Sequence, residues 1–281
     1  MQPPAEPDPA GPHVPTRVAR TPVDAGTTTR ANRRFWDSWA EEYQAEHASD
    51  LGRDRFVWGP EGLQEDDAHL LGDLADLVGR PVVEVGAGAA QCSRWLVARG
   101  VRAVGVDLSA TQLAVSTRLD QQTSTRVPVV VADAQSLPLA DGVATAAFSA
   151  YGALPFVADA DRVFTEVARV LAPGGRWVVA VPHPVRWCLP DDPGPDGLVV
   201  RDSYFDRRAY VERDDAGDPV YVEHHRTVGD WVRLLVEAGF VLDDVVEPEW
   251  PEDLERTWGG WSPLRGRLVP GTAIFVTHLT R

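Results

Sequence analysis

Glu84, Gly86, Gly88 and Ala90 stand two apart in the run VVEVGAGAAQCSRWL, residues 82–96. The acidic residue closes an apolar run, the glycines make a turn, and a helix-like pattern follows. A strand, a glycine-rich turn and a helix start bring backbone N–H groups close to a nucleotide. Asp107 ends a second apolar run, AVGVDLS, 21 positions after Gly86. A carboxylate at that distance can accept both hydroxyls of a ribose. Asp133 ends a third, VVVADAQ, where an acceptor suits the exocyclic amine of an adenine. Three ligands fit at this level: a nicotinamide dinucleotide, a phosphate chain, and a nucleoside with no phosphate. The dinucleotide fingerprint wants a small residue where this chain has Gln91, whose side chain would obstruct helix–strand contact; the small residue, Ala90, sits one place earlier.

Periodicity shows which elements must hold these residues. Strands are expected over 82–85, 102–106, 127–131, 143–149 and 176–181. Helices are expected over 91–99, 110–119 and 159–171, the last with Val163, Val167, Val170 and Leu171 on one face. Such alternation implies an α/β fold: a doubly wound, mostly parallel, Rossmann-like sheet. Phe35, Trp39 and Tyr43 recur at helical spacing ahead of it. Leu70, Leu71, Leu74, Leu77 and Val78 suggest a second helix ending at Gly79. Residues 182–226 break the alternation and read as an inserted hairpin or lid, with its loop near 214–219. Thr227 and Asp230 then form a capping box for a helix carrying Trp231, Leu234, Leu235 and Ala238. Strands over 240–246 and 272–278 close the chain. Residues 1–30, rich in Pro, read as a disordered tail. Residues 31–281 read as one domain, made of N-terminal helices (31–79), a cofactor-binding core (80–181), the insertion (182–226) and a C-terminal helix and strand pair (227–281).

Composition narrows the chemistry. The 281 residues carry 42 acidic and 27 basic side chains, a net charge of -15. That surface repels nucleic-acid backbones and anionic lipid, so neither nucleic acid nor membrane is expected as a partner. No apolar run reaches the roughly 18 residues of a spanning helix, and no secretory h-region is seen, so a cytoplasmic protein is expected. Every basic residue is arginine, which excludes a lysine Schiff base and a P-loop lysine. Asn32 and Ile274 are the single examples of their types, and with the missing lysine they point to a GC-rich bacterial genome. Cys92 and Cys188 show no metal-ligand spacing, nor do His183, His224, Asp191 and Asp192, so no metal is expected.

Taken together, the motifs at 84–90, Asp107, Asp133 and RVLAPGGRW resemble the class I S-adenosylmethionine-dependent methyltransferases. The nearest branch is the small-molecule and quinone-type (methyltransferase type 11-like) group. The resemblance implies a seven-stranded sheet whose last strand runs antiparallel, and S-adenosylmethionine as cofactor. It implies Glu84 near the amino end of the methionine moiety, with Gly86, Ala87, Gly88 and Gln91 along the cofactor. It places Asp107 and Leu108 on the ribose side, Asp133 and Ala134 near the adenine, and Tyr43 on a helix that closes over the ligand. An acidic Glu84 fits an ammonium and a sulfonium and fits a pyrophosphate badly, so the third ligand is preferred.

The implied activity is methyl transfer to a small-molecule acceptor by in-line displacement. Where the acceptor carries a proton, a base helps, and His183 follows the fifth core strand at its carboxyl edge. Tyr151, after the fourth, falls where this family lines the transfer site. Trp187, His224, Trp258 and Trp261 are candidate substrate residues. Two rivals stand beside this reading: a non-catalytic S-adenosylmethionine-binding module, and an NAD(P)-dependent oxidoreductase, against which Gln91 and Glu84 argue. The acceptor atom and the oligomeric state are not legible in the sequence.

Overall fold

The computed structural model describes residues 17–280. In chain order the elements are β1 (Arg17–Thr21), α1 (Ala25–Glu46), the single turns α2 (Ala48–Leu51), α3 (Glu65–Ala68) and α4 (Leu74–Leu77), and β2 (Pro81–Val85). Then come α5 (Gln91–Ala98), β3 (Arg102–Asp107), α6 (Ala110–Thr123), β4 (Val129–Val131), β5 (Ala144–Ser149), α7 (Ala160–Val170) and β6 (Leu171–Pro182). The remainder is β7 (Ala209–Arg213), β8 (Pro219–Glu223), α8 (Val228–Glu237), β9 (Phe240–Val246), α9 (Pro263–Gly266) and β10 (Thr272–Leu279).

Seven strands form one sheet in the order β4-β3-β2-β5-β6-β10-β9. The pairs from β4 to β6 are parallel, and only β10 runs against its neighbours β6 and β9. The expected seven-stranded Rossmann-like sheet with an antiparallel last strand is therefore present. Alternation along β6 shows how it is held. Trp177, Val179 and Val181 join Val163 and Phe164 of α7 and Trp231 and Leu235 of α8 in one core. Val178 and Ala180 join Phe56, Trp58 and Trp95 in a second core on the other face. Burying apolar surface on both faces is what an all-parallel strand run requires. The strand order reverses between β2 and β5, which opens a crevice at their carboxyl ends.

A second sheet, β1-β7-β8, is antiparallel and lies beside α1. It corrects the reading of the N-terminus. Residues 1–16 lie outside the described residues, but 17–21 pair with β7 from Arg17↔Arg213 to Thr21↔Ala209. Helix α1 begins at Ala25, where the Asp24 side chain accepts from the Thr27 N–H. Composition undercounts such a segment because its order comes from a distant strand's backbone. Arg20 adds a hydrogen bond to the Trp187 carbonyl at 3.0 Å, with its guanidinium 5.2 Å from the Trp187 ring centroid. Removing residues 1–21 should therefore cost about 2 kcal/mol, roughly 4–8 °C in Tm by calorimetry. An unchanged Tm would show that this docking contributes nothing.

The expected helix ending at Gly79 is also corrected. Leu74 and Leu77 lie in the single turn α4, whereas Leu70 and Leu71 fall between α3 and α4, where His69 (φ 49°) and Gly72 (φ 91°) interrupt the helix. The buried Glu65 carboxylate accepts from Trp58 Nε1 and from the N–H groups of Leu70 and Leu71, so those amides need no helix. The expected hairpin and the Thr227/Asp230 capping box are both present.

Candidate active site

The crevice at β2 and β5 is where the glycine turn is forced. Gly86 sits at φ 74°, and a Cβ there would lie 2.3 Å from the Ala153 Cβ on the loop after β5. Gly88, at φ 53°, donates its N–H to Asp107 Oδ2 at 2.7 Å, and its Cβ position meets nothing nearer than Gln112 Oε1 at 3.8 Å. The first glycine thus permits close packing and the second leaves room in the crevice. Ala90 (φ 56°) caps α5, and together with Ala87 it faces Gly105 of β3, where a Cβ would meet theirs at 3.5 and 2.9 Å. Small residues at 87 and 90 supply the helix–strand contact. Gln91 does not obstruct it: its Nε2 points to Gln44 Oε1 of α1 at 2.7 Å, and Gln44 Nε2 continues to Gln112 Oε1 at 3.0 Å.

Two carboxylates end neighbouring strands. Glu84, on β2, is buried, and its Oε2 accepts from the Ser93 N–H at 3.0 Å. Burial pushes it up to about 7, with the Asp107 charge adding in the same direction. Asp107, on β3, accepts from Gly88 and from the Ser109 N–H at 2.8 Å, and burial raises it as well. Asp133, after β4, accepts from the Gln135 N–H at 2.9 Å and from Thr29 Oγ1 of α1 at 3.3 Å.

All ten candidate cofactor residues line a single cavity: Tyr43, Glu84, Gly86, Ala87, Gly88, Gln91, Asp107, Leu108, Asp133 and Ala134. Tyr151 lines it too, at a left-handed φ of 55° that a tyrosine adopts only under constraint. Burial holds the Tyr151 hydroxyl neutral well above the usual phenol range, and the Glu61 charge adds to the effect. The helix expected to close over the ligand is α1, and besides Tyr43 it contributes residues that were not among the candidates. Asn32, Trp36 and Gln44 close one wall, with Trp36 5.4 Å from Tyr43 and 5.2 Å from Phe156 between centroids. Asn32, fully buried, donates to the Val222 and Phe156 carbonyls and accepts from the Val222 N–H, pinning α1 to β8. Asp37 accepts from Ser109 Oγ and the Thr111 N–H, pinning α1 to the start of α6. A lone asparagine in a helix was the only available signal.

Five candidates lie away from the cavity lining. His183 caps the short 3₁₀ turn Pro184–Cys188: its Nδ1 accepts from the Val185 N–H at 3.1 Å, and its Nε2 donates to Glu247 at 2.8 Å. With both nitrogens engaged, the structure gives His183 a capping place rather than a position at the reacting atoms. His224 Nε2 meets Thr28 Oγ1 at 3.0 Å, and burial pushes its imidazole down to about 4, so it is neutral near pH 7. Trp187 has the guanidinium groups of Arg20 and Arg186 at 5.2 and 5.0 Å from its ring centroid, Trp261 has that of Arg265 at 4.3 Å, and both rings are buried. Trp258 is the exception, with its ring 6.4 Å from Tyr151 and 4.6 Å from His47. Among the described residues, no group of three or more His, Cys, Asp or Glu can hold a metal ion.

Comparison with known proteins agrees with this geometry. Residues 83–179 match the family described as "Methyltransferase domain". A demethylmenaquinone methyltransferase of Thermus thermophilus is 39% identical over 111 residues, 39% of this chain and 46% of the relative. One from Mycolicibacterium gilvum is 38% identical over 132 residues, 46% of this chain and 50% of the relative. The chain thus spans about half the length of the curated relatives it matches. Among solved structures, a 1,6-didemethyltoxoflavin-N1-methyltransferase of Burkholderia thailandensis superposes with a TM-score of 0.56 at 20% identity, covering 97% of this chain and all of that one. The sheet order and glycine turn, with the domain match over residues 83–179, agree with the resemblance to the class I S-adenosylmethionine-dependent methyltransferases.

Proposed function

We propose that the chain transfers a methyl group from S-adenosylmethionine to a small-molecule acceptor. The observation that carries this reading is the pair of enclosed carboxylates, Glu84 and Asp107, on either side of the open Gly88 turn. Among the described residues Arg55 is the only Lys or Arg along the lining, so a pyrophosphate would meet two negative charges with little to offset them. A ligand with a cationic amino-acid end and a ribose fits the same residues. Bound S-adenosylmethionine supplies a methyl carbon that is already electrophilic, so the protein's share is positioning and the exclusion of water. Glu84 pairs with the amino group. Asp107, held by two backbone N–H donors, receives the ribose hydroxyls, and Asp133 with Ala134 meets the adenine. Tyr43, Trp36 and Gln44 of α1 shield the ligand, and Tyr151 stands where the acceptor approaches.

The demethylmenaquinone and toxoflavin methyltransferases support a small organic acceptor. A cytoplasmic, bacterial setting fits too: both cysteines are free, and no helix among the described residues is long and apolar enough to cross a membrane. A non-catalytic binding module is the second reading. One observation favours it: among the described residues, no histidine lines the cavity. Incubation with S-adenosylmethionine and a fractionated bacterial metabolite extract separates the two. Acceptor-dependent release of S-adenosylhomocysteine supports the enzyme, whereas tight binding without release in any fraction supports the module.

A further inference from the structure

S-adenosylmethionine brings one charge to the cavity that Glu84 and Asp107 cannot serve. Its amino-acid end carries a carboxylate beside the amino group, and an anion taken out of water without a partner is costly. The carboxylates of Glu84, Asp107 and Asp133 along the lining would repel it. Among the described residues the lining holds one side chain of opposite charge, Arg55. That side chain is half-buried and largely uncommitted: Nη1 donates to the Ser49 carbonyl at 3.3 Å, and the guanidinium forms no ion pair among the described residues.

The segment that carries Arg55 is fixed at the Glu84 end of the cavity. Arg94 of α5 is fully buried, and its Nη1 donates both to the Arg53 carbonyl at 3.1 Å and to the Ala89 carbonyl of the glycine turn at 3.2 Å. Arg94 also pairs with Asp120 at 2.9 Å, so its own charge is committed to the fold. On the other side of Arg55, the Phe56 ring lies 5.7 Å from Trp95 of α5 and 4.7 Å from Phe148 of β5. Phe148 is the register partner of Glu84. Arg55 therefore stands between two residues that are anchored on the glycine turn and beside the strand end presenting Glu84. Gly52, at φ 62°, makes room for its stem: a Cβ there would lie 2.6 Å from Arg55 Cδ. Asp133 follows β4, two strands from β2 and so roughly 10 Å across the sheet, which puts the adenine end away from Arg55.

We infer that Arg55 recognises the carboxylate of the cofactor's methionine moiety, so that the cavity selects intact S-adenosylmethionine over its decarboxylated form and over 5′-methylthioadenosine. Both rejected ligands offer the same ribose to Asp107 and the same adenine to Asp133, and neither has an anion for a guanidinium. A guanidinium suits the task because its planar fork matches the two oxygens of a carboxylate. Glu84 on the amino group and Arg55 on the carboxylate hold the α-carbon from two sides, which fixes the sulfur along the cavity and aims the methyl group. The inference rests on the S-adenosylmethionine reading of this cavity and adds to it the residue that checks the amino-acid end.

The probes are S-adenosylhomocysteine, its decarboxylated analogue 5′-deoxy-5′-(3-aminopropylthio)adenosine, and 5′-methylthioadenosine, each titrated by calorimetry. Wild type should bind S-adenosylhomocysteine about 10–100-fold tighter than the decarboxylated analogue. Arg55→Gln should bring that ratio to about one by weakening S-adenosylhomocysteine, while binding the analogue no more weakly than wild type does. Simple damage to the cavity would weaken both ligands. Arg55→Lys keeps the charge without the fork and should keep part of the preference. In Arg55→Gln the analogue should still bind tighter than 5′-methylthioadenosine, because its amino group still meets Glu84. Equal binding of S-adenosylhomocysteine and the analogue by wild type, a preference retained in Arg55→Gln, or equal losses of both ligands in that variant would overturn the inference. If S-adenosylhomocysteine binds and the carboxylate preference is missing, only the Arg55 assignment fails; if it does not bind at all, the cofactor reading fails and the inference with it.

Discussion

Glu84→Gln is expected to weaken S-adenosylhomocysteine binding by roughly 10–100-fold while making the ligand-free protein more stable at pH 8. The two signs follow from one buried charge. In the folded protein Glu84 sits at about 7, against 4.5 for an ordinary glutamate. The folded state therefore holds its proton through a window in which the unfolded chain has lost it, and stability falls between pH 4.5 and about 7 and is flat above. The cost at pH 8 is roughly 3 kcal/mol, and a neutral amide, still accepting from the Ser93 N–H, removes it. Binding a cationic amino group reverses the preference and expels the proton. Wild-type affinity should accordingly rise up to about tenfold per pH unit below 7 and level off above, and Glu84→Gln should lose that slope. Calorimetry in buffers of differing ionisation enthalpy would detect the released proton. A variant that binds normally, or is less stable than wild type at pH 8, would refute this use of Glu84.

The second large effect separates two glycines that look alike in the sequence. Gly86→Ala forces a Cβ to within 2.3 Å of the Ala153 Cβ at a φ of 74°. Overpacking and left-handed strain together should cost roughly 2–5 kcal/mol, lowering Tm and distorting the crevice. Gly88→Ala meets nothing within 3.8 Å and carries only the strain of φ 53°. It should lose about 1–2 kcal/mol of stability, close to a Gly142→Ala control at φ 63° with no neighbour within 4 Å. Its new methyl instead projects into the cavity, so cofactor affinity should fall by an order of magnitude or more. Equal Tm losses at 86 and 88 would show that the Ala153 contact is not the constraint inferred.

The cofactor side was legible because its signals are local. Glu84, Asp107 and Asp133 each stand at or just past a strand end, and a parallel sheet brings such ends to one edge whatever the loops do. The docking of β1 and α1 was not legible because nothing near them in sequence orders them: β1 pairs with a strand about 190 residues away, and Asn32 reaches Val222 over 190 positions. Gln91 was judged against helix packing, whereas its side chain turns toward α1, an element whose position no local pattern reveals. His183 has the expected place at the end of β6, but the next turn uses its ring as a cap. Trp187 and Trp261 are buried whereas Trp258 is partly exposed, a difference that periodicity in these irregular stretches does not reveal. Arg55 was passed over because an arginine outside any periodic pattern reads as solvated, and only the fold brings it to the cavity.

The most direct test of the central claim is a calorimetric titration of the wild-type protein and Asp107→Ala with S-adenosylhomocysteine and, separately, with NADH. One molecule of S-adenosylhomocysteine should bind per chain, weakened by roughly 1.5–3 kcal/mol in Asp107→Ala, where charge-assisted hydrogen bonds to the ribose are lost, and NADH should give no heat of binding. Binding of NADH, failure to bind S-adenosylhomocysteine, or equal affinity in wild type and Asp107→Ala would contradict the assignment of this cavity.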